Sequence, residues 1–286
     1  MSTRLKLAIQ KSGRLQEDSM QLLKECGISI DNGRDQLKAS ARNFPLDVLF
    51  LRNSDIPQYI EDGVADIGII GENTVIEKQR QIAQKLNLGF ARCRLSIAVP
   101  RNTPYTGLNF LQGKKIATSY PNTLRRFLQE KGIRAEIHEI SGSVEIAPNI
   151  GLADAICDLV SSGSTLFQNG LEEKEVLLRS EACMVATPAL GQEESMLLDK
   201  LIFRIQSVLK ARQYRYVLMN APNEKIPEIN RVLPGMKSPT VMPLALEGWS
   251  SIHTVIAEER FWEIIEELQA AGAEGILVVP IEKMII

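Results

Sequence analysis

The sequence predicts an α/β protein of two similar lobes around one cleft, followed by a ferredoxin-like βαββαβ module. Three observations carry this. Short apolar runs are bounded by glycine and flanked by helical segments, a strand–turn–helix–glycine order occurs twice, and the pattern changes after about residue 212. Buried runs of this kind mark βα units in a parallel sheet.

Leu5-Lys-Leu-Ala-Ile9 reads as a buried strand, followed by a turn with Ser12 and Gly13. A helix carrying Leu15, Met20, Leu22 and Leu23 then ends at Gly27. Lys114-Lys-Ile-Ala-Thr118, Ser119 to Thr123, a helix through Leu124, Phe127 and Leu128, and Gly132 repeat that order. A second pair agrees. Gly63-Val-Ala-Asp-Ile67 opens the run Ile67 to Ile70 and Gly71-Glu-Asn-Thr74; Gly151-Leu-Ala-Asp-Ala155 opens Ile156 to Val160 and Ser161-Ser-Gly-Ser-Thr165. Helices are expected before each, over 55–62 and 143–152. Matched halves of this kind give the type II periplasmic-binding-protein-like architecture.

Arg94 to Pro100 is expected to cross between lobes, with 175–178 and 182–185 crossing back, so the first lobe should be discontinuous. A long helix over 193–211 closes the pair. The expected divisions are 1–93 with 183–212 for lobe I, 94–182 for lobe II, and 213–286 for the last domain. In that domain strands over 214–220, 240–245, 250–257 and 275–281 alternate with helices over 226–233 and 260–271 in the βαββαβ order.

Composition narrows the function. The 286 residues contain 33 Lys plus Arg against 35 Asp plus Glu, so no global basic field points to nucleic acid or to a membrane surface. No apolar run approaches a membrane span. The opening residues run into a strand without the apolar core of a signal peptide, so the cytoplasm is expected. Cys26, Cys93, Cys157 and Cys183 form no C-x-x-C pair and read as small buried hydrophobes. The only histidines, His138 and His253, lie in no triad or zinc motif.

The chemistry concentrates between Glu139 and Leu166. A strand empties into Ser161, Ser162, Gly163, Ser164 and Thr165, where a helix should start. Free N–H groups, hydroxyls and one glycine at such a place make an anion cradle, although Ser and Thr also serve as plain helix caps. Asp154 and Asp158 flank the strand at an even spacing and should leave one face of it. Such a pair can hold a diol or a hydrated Mg²⁺; equally, one can be structural and the other tie a loop.

The segment from Glu139 to Leu166 resembles the phosphoribosyl-pyrophosphate signature of the ATP phosphoribosyltransferase family. Gln10-Lys-Ser-Gly-Arg-Leu15, Lys115-Ile-Ala-Thr-Ser-Tyr-Pro121 and the stretch from Glu247 to Ile286 are similar to that family as well, so the likeness covers essentially the whole chain. It implies transfer of phosphoribosyl from phosphoribosyl pyrophosphate to N1 of ATP, the first step of histidine biosynthesis, with Mg²⁺ as cofactor. The implied donor site comprises Glu145, Asp154, Ala155, Asp158 and Ser161 to Thr165, with Asp154 and Asp158 also toward metal. Arg52 is implied at the pyrophosphate. Lys11, Gly13, Arg14 and Tyr120 are implied at ATP. Surface ion pairing for the two arginines, and plain packing for Tyr120, are the alternatives. The C-terminal module resembles that of the long form, a hexamer in equilibrium with a dimer and inhibited by histidine, with Asn220, Thr240 and Ala273 expected at the inhibitor. The rivals are a non-catalytic two-lobed binding protein and a silent regulatory subunit.

Overall fold

The computed structural model describes residues 3–31, 36–233 and 238–285; residues 1, 2 and 286, which the expected domain ranges include, lie outside it. The chain begins β1 (Leu5–Gln10), α1 (Arg14–Glu25), β2 (Lys38–Ser40), β3 (Leu46–Leu51), α2 (Ile56–Glu61), β4 (Ile67–Gly71), α3 (Glu72–Lys78) and β5 (Ala83–Asn87). It continues β6 (Cys93–Pro100), β7 (Lys115–Thr118), α4 (Pro121–Glu130), β8 (Glu136–Glu139), β9 (Ala155–Val160), α5 (Ser164–Gln168) and β10 (Leu171–Ser180). Then come β11 (Ala182–Ala186) and the long α6 (Gln192–Arg212). The last stretch holds β12 (Tyr214–Pro222), α7 (Ile226–Val232), β13 (Thr240–Pro243), β14 (Trp249–Ala257), α8 (Glu258–Ala270) and β15 (Glu274–Pro280).

Two of the three sheets repeat one plan. The first runs β2-β3-β1-β4-β11-β5 and the second β10-β6-β9-β7-β8. In each, three parallel strands meet a strand running the other way, β11 beside β4 and β6 beside β9. The chain leaves the first sheet between β5 and β6 and returns between β10 and β11, so two strands connect the lobes. β1 shows why such strands read as apolar runs. Leu5, Leu7, Ala8 and Ile9 are all fully buried, and the strand lies between β3 and β4. Each large side chain so buried contributes about 2–3 kcal/mol.

The third sheet runs β13-β14-β12-β15 and is antiparallel throughout. Val217, Met219, Ile252 and Ile256 pack against Ile229, Phe261, Ile264 and Leu268 of α7 and α8. Alternation puts Tyr216, Leu277 and Val279 on the other face, where they are exposed. The strand order is that of a ferredoxin-like module.

Three features depart from the sequence reading. The helix expected over 143–152 is only a 3-10 turn, Val144–Ile146, followed by turns. Ser143 is already left-handed there, and Pro148 supplies no backbone N–H for a continued helix. β2 and β5 are not among the expected strands; β5, Ala-Gln-Lys-Leu-Asn, has no β-branched residue and is a strand because it pairs with β11. Contacts divide the chain inside α6, into 1–24 with 28–198 and 25–27 with 199–286, rather than after residue 212. The second half of α6 belongs to the later unit through bonds such as Met284 N to Ser207 O, 2.9 Å, and Arg212 to Glu25, 2.8 Å.

Candidate active site

Ligands of open α/β sheets gather beyond the carboxyl ends of the parallel strands. In the first unit those ends carry short polar loops. β1 ends in Lys11, Ser12 and Gly13, whose φ of +89° suits glycine, before Arg14 opens α1. β3 ends in Arg52 and Asn53, and β4 runs directly into α3. In the other lobe β7 ends in Ser119 and Tyr120, and β9 in Ser161 to Gly163.

Ser161, Ser162, Ser164 and Thr165 are exposed around Gly163, which sits at φ +83°. Ser162 and Ser164 hydroxyls lie 3.0 Å apart. The loop is held from behind. Arg94 of β6 donates to Ser161 O at 3.1 Å while its other nitrogens grip Glu173 at 2.5 Å. Hydrogen bonding from Arg94 holds the Glu173 carboxyl below its ordinary range. Nothing local in the sequence announced Arg94, because its partners stand on other strands.

The two aspartates expected to work together are separated. Asp154 precedes β9; it accepts from Lys115 N at 2.9 Å and pairs with Lys114 at 3.3 Å. Those bonds, the backbone one first, lower its pKa. Asp158 lies within β9, opposite Ser96 and toward the strand's carboxyl end. Four residues of strand span about 13 Å, so the even spacing puts the pair toward opposite ends of β9. Asp154 is thus tied to the start of β7. Ala155, also expected at the donor, is fully buried in the core beside Leu95 and Ile97 and presents no side chain to a ligand.

Asp158 accepts from Leu159 N and pairs with no cation among the described residues. Burial raises its pKa, and the charge of Glu145 raises it further. Tyr120 is near as well, its phenol pushed upward by burial and then by the Asp158 charge. The Tyr120 hydroxyl accepts from Asn73 Nδ2 of α3 at 3.1 Å, across the lobes. Asn73 also takes the Ser180 hydroxyl at 2.9 Å, where the chain returns between lobes. On the facing lobe Lys11 and Arg52 are exposed and, among the described residues, form no salt bridge; Arg14 faces Asp18 at 3.9 Å while largely exposed. Asn53 leaves a buried Oδ1 without a donor among the described residues. A groove of about 770 Å³ by Arg125, Gln129 and Arg134 lies toward the start of β8, away from these loops.

In the second unit Asn220 and Thr240 stand on strands of the third sheet; Thr240 is exposed opposite His253. His253 lies between the Tyr216 hydroxyl, 2.8 Å from Nδ1, and the Ser251 hydroxyl, 3.0 Å from Nε2. Ala273, just before β15, has its side chain packed in the core with α8, which leaves its backbone as the part that could meet a ligand.

Two sheets with matched parallel strands, joined by two connections and facing each other with polar loops, define the type II periplasmic-binding-protein-like architecture. The periplasmic aliphatic sulphonate binding protein of Escherichia coli shares this fold at a TM-score of 0.50 and 16% identity, covering 74% of this chain and 70% of its own. The ATP phosphoribosyltransferase family model matches residues 52–207, and the model of that family's C-terminal domain matches 211–283. An ATP phosphoribosyltransferase of Cytophaga hutchinsonii is 58% identical over 285 residues, spanning 100% of both chains. That of Phocaeicola vulgatus is 55% identical over 282 residues, covering 99% of this chain and 100% of its own. The ATP phosphoribosyl transferase (HisG:HisZ) complex of Thermotoga maritima holds a chain 30% identical, with a TM-score of 0.62, matching 72% of this chain and 98% of that one. The chain belongs to the ATP phosphoribosyltransferase family. Its activity is the opening step of histidine biosynthesis, transfer of phosphoribosyl to ATP.

Proposed function

We propose that transfer takes place between the facing loops of the two lobes, with each loop in one role. Ser161 to Thr165 take the 5-phosphate of the donor, and Asp158 with Glu145 takes its ribose hydroxyls. Arg52 faces the departing pyrophosphate; Lys11, Gly13, Arg14 and Tyr120 hold ATP. The observation that carries this reading is Asp158, a half-buried carboxylate without a cation among the described residues, next to a loop of exposed hydroxyls built around left-handed Gly163. A ribose diol supplies the donors such an acceptor lacks.

Adenine N1 attacks the anomeric carbon as the bond to pyrophosphate breaks, and the departing oxygen keeps the electron pair. No covalent enzyme group is needed, so the rate rests on alignment and on charge placed where the leaving group develops. Mg²⁺ enters as part of the donor substrate. Among the described residues no three His, Cys, Asp or Glu side chains gather as a metal cage, and Asp154 is committed to lysine. Asp158 and Glu145 alone suit an ion held mainly by phosphate oxygens; its chemistry is to neutralise the leaving group.

The second unit is the regulatory domain in this reading, and histidine binds near Thr240 and Asn220. The polar set His253, Ser251 and Tyr216 beside Thr240 supports that placement. The exposed Leu277, Val279 and Met242 support assembly of identical chains, a hexamer in equilibrium with a dimer. Among the described residues no helix is long and apolar enough to cross a membrane, and the cytoplasm is the proposed location.

Replacing Gly163 tests the phosphate loop. A Cβ there meets only Val160, at 3.9 Å, so a side chain has room but must adopt a φ of +83°. Gly163→Val is expected to weaken binding of phosphoribosyl pyrophosphate by at least about tenfold, roughly 1.4 kcal/mol. Titration of the folded variant with unchanged donor affinity would remove the loop from the site.

A further inference from the structure

The start of α4 lacks a cap of its own. Tyr120 occupies the N-cap position but its side chain makes no capping bond, and the first turn contains no acidic residue. The missing acceptor comes from the other lobe. Glu77 of α3 accepts from Asn122 N and Thr123 N, both at 2.9 Å, and from the Thr123 hydroxyl at 2.7 Å. Asn122 Nδ2 in turn donates to Glu77 O at 3.0 Å. Glu77 is 5% exposed and has no salt bridge among the described residues. A carboxylate buried in this way is tolerated only because donors surround it, and here they are the free N–H groups of a helix start. One turn earlier on the same face of α3, Asn73 bonds the Tyr120 hydroxyl and Ser180. The bonds between α3 and the start of α4 thus fix where Tyr120 stands beside Asp158.

We propose that Glu77 is a positioning residue for phosphoribosyl transfer: by capping α4 from the opposite lobe it holds the loops of the two lobes in one fixed relation. This rests on the functional reading above. Glu77 touches neither substrate in that reading, so its loss should disturb alignment more than binding.

The test is steady-state kinetics of Glu77→Gln and Glu77→Ala, with kcat expressed per folded molecule from the native fraction seen by circular dichroism. In the Glu77→Gln variant the carboxamide oxygen can accept, but the NH₂ beside it faces a backbone donor, so glutamine should not substitute. The expected result is a fall in kcat of about tenfold or more, with KM for ATP and for phosphoribosyl pyrophosphate within about threefold. Added formate should restore part of kcat to Glu77→Ala by filling the vacated acceptor site, which recovery of stability alone would not do. If the folded variants keep the wild-type kcat, or only KM rises, the proposal is wrong. Should neither Glu77 variant fold, Thr123→Val and Asn122→Ala decide: the first removes the hydroxyl bond to the Glu77 carboxylate, the second the bond to Glu77 O together with the bond from Arg125. A smaller fall in kcat supports the proposal, and a wild-type kcat in both overturns it. A wild-type protein that makes no phosphoribosyl-ATP would overturn the functional reading itself, and this inference with it.

Discussion

Carboxylates of the first unit are treated in two ways. Asp47, Asp154 and Glu173 each receive bonds from lysine or arginine and titrate low. At Asp47, where burial alone would raise the value, bonds from Arg4, Lys38 and Ser40 bring it to about 2. Asp158 receives one backbone N–H, and burial raises it. The consequence for stability follows from the sign of the shift. A carboxyl raised in the folded state favours folding at pH below its unfolded value, and that advantage is lost as pH rises through the folded value. At neutral pH the ionised Asp158 therefore costs stability, which the fold tolerates at a binding position. Asp158→Asn is expected to raise Tm at pH 7 while lowering kcat/KM for phosphoribosyl pyrophosphate at least about tenfold. The wild-type acid limb, set above the ordinary aspartate value of 3.8, should vanish in the variant. A variant with lower Tm and intact kcat/KM would make Asp158 a structural residue. Asp158 and the loop after it could be read as candidates from the sequence because their motif is contiguous. The lysine partners of Asp154 were not legible, since even spacing says which face a residue leaves but not which neighbouring strand end it meets.

Elements were legible where one periodicity dominates. β1, β4, β7 and β9 are apolar runs each followed by a helix, and α6 is long enough for its pattern to persist over 21 residues. Reading failed where tertiary pairing decides: β5 exists through β11, and the residues around Val144 turn instead of forming a helix. The cap on α4 was hidden for the same reason, because Glu77 and Thr123 meet only once both sheets are formed. The third sheet shows what an element can and cannot disclose. Its strand order was readable from pattern, but the neighbourhood of Thr240 depends on register, which pairs it with His253. Thr240→Leu adds apolar bulk at an exposed edge strand, so folding and oligomeric mass should stay unchanged. Histidine inhibition should be lost, a coupling of about 1–3 kcal/mol or roughly 5–150-fold in affinity. Inhibition curves for the variant that overlay the wild type, with histidine competing against phosphoribosyl pyrophosphate, would move the inhibitor site to the catalytic unit.

For the whole molecule, the proposed function has two lobes bring two substrates together without a covalent intermediate. With charge so nearly balanced, anionic substrates must be held by local groups; in the proposed function these are Gly163 with its hydroxyl neighbours and the arginines of the facing loops. The same fold serves solute binding elsewhere, so the architecture alone does not distinguish a receptor from an enzyme. The direct measurement is to mix the protein with ATP, phosphoribosyl pyrophosphate and Mg²⁺ and follow phosphoribosyl-ATP by chromatography and pyrophosphate by phosphorus NMR, with Asp158→Asn alongside. Equal amounts of the two products are expected from wild type, none before both substrates are present, and at least about tenfold less from the variant at sub-saturating donor. Pyrophosphate release from the donor without ATP, or equal rates from wild type and Asp158→Asn, would contradict the proposed function.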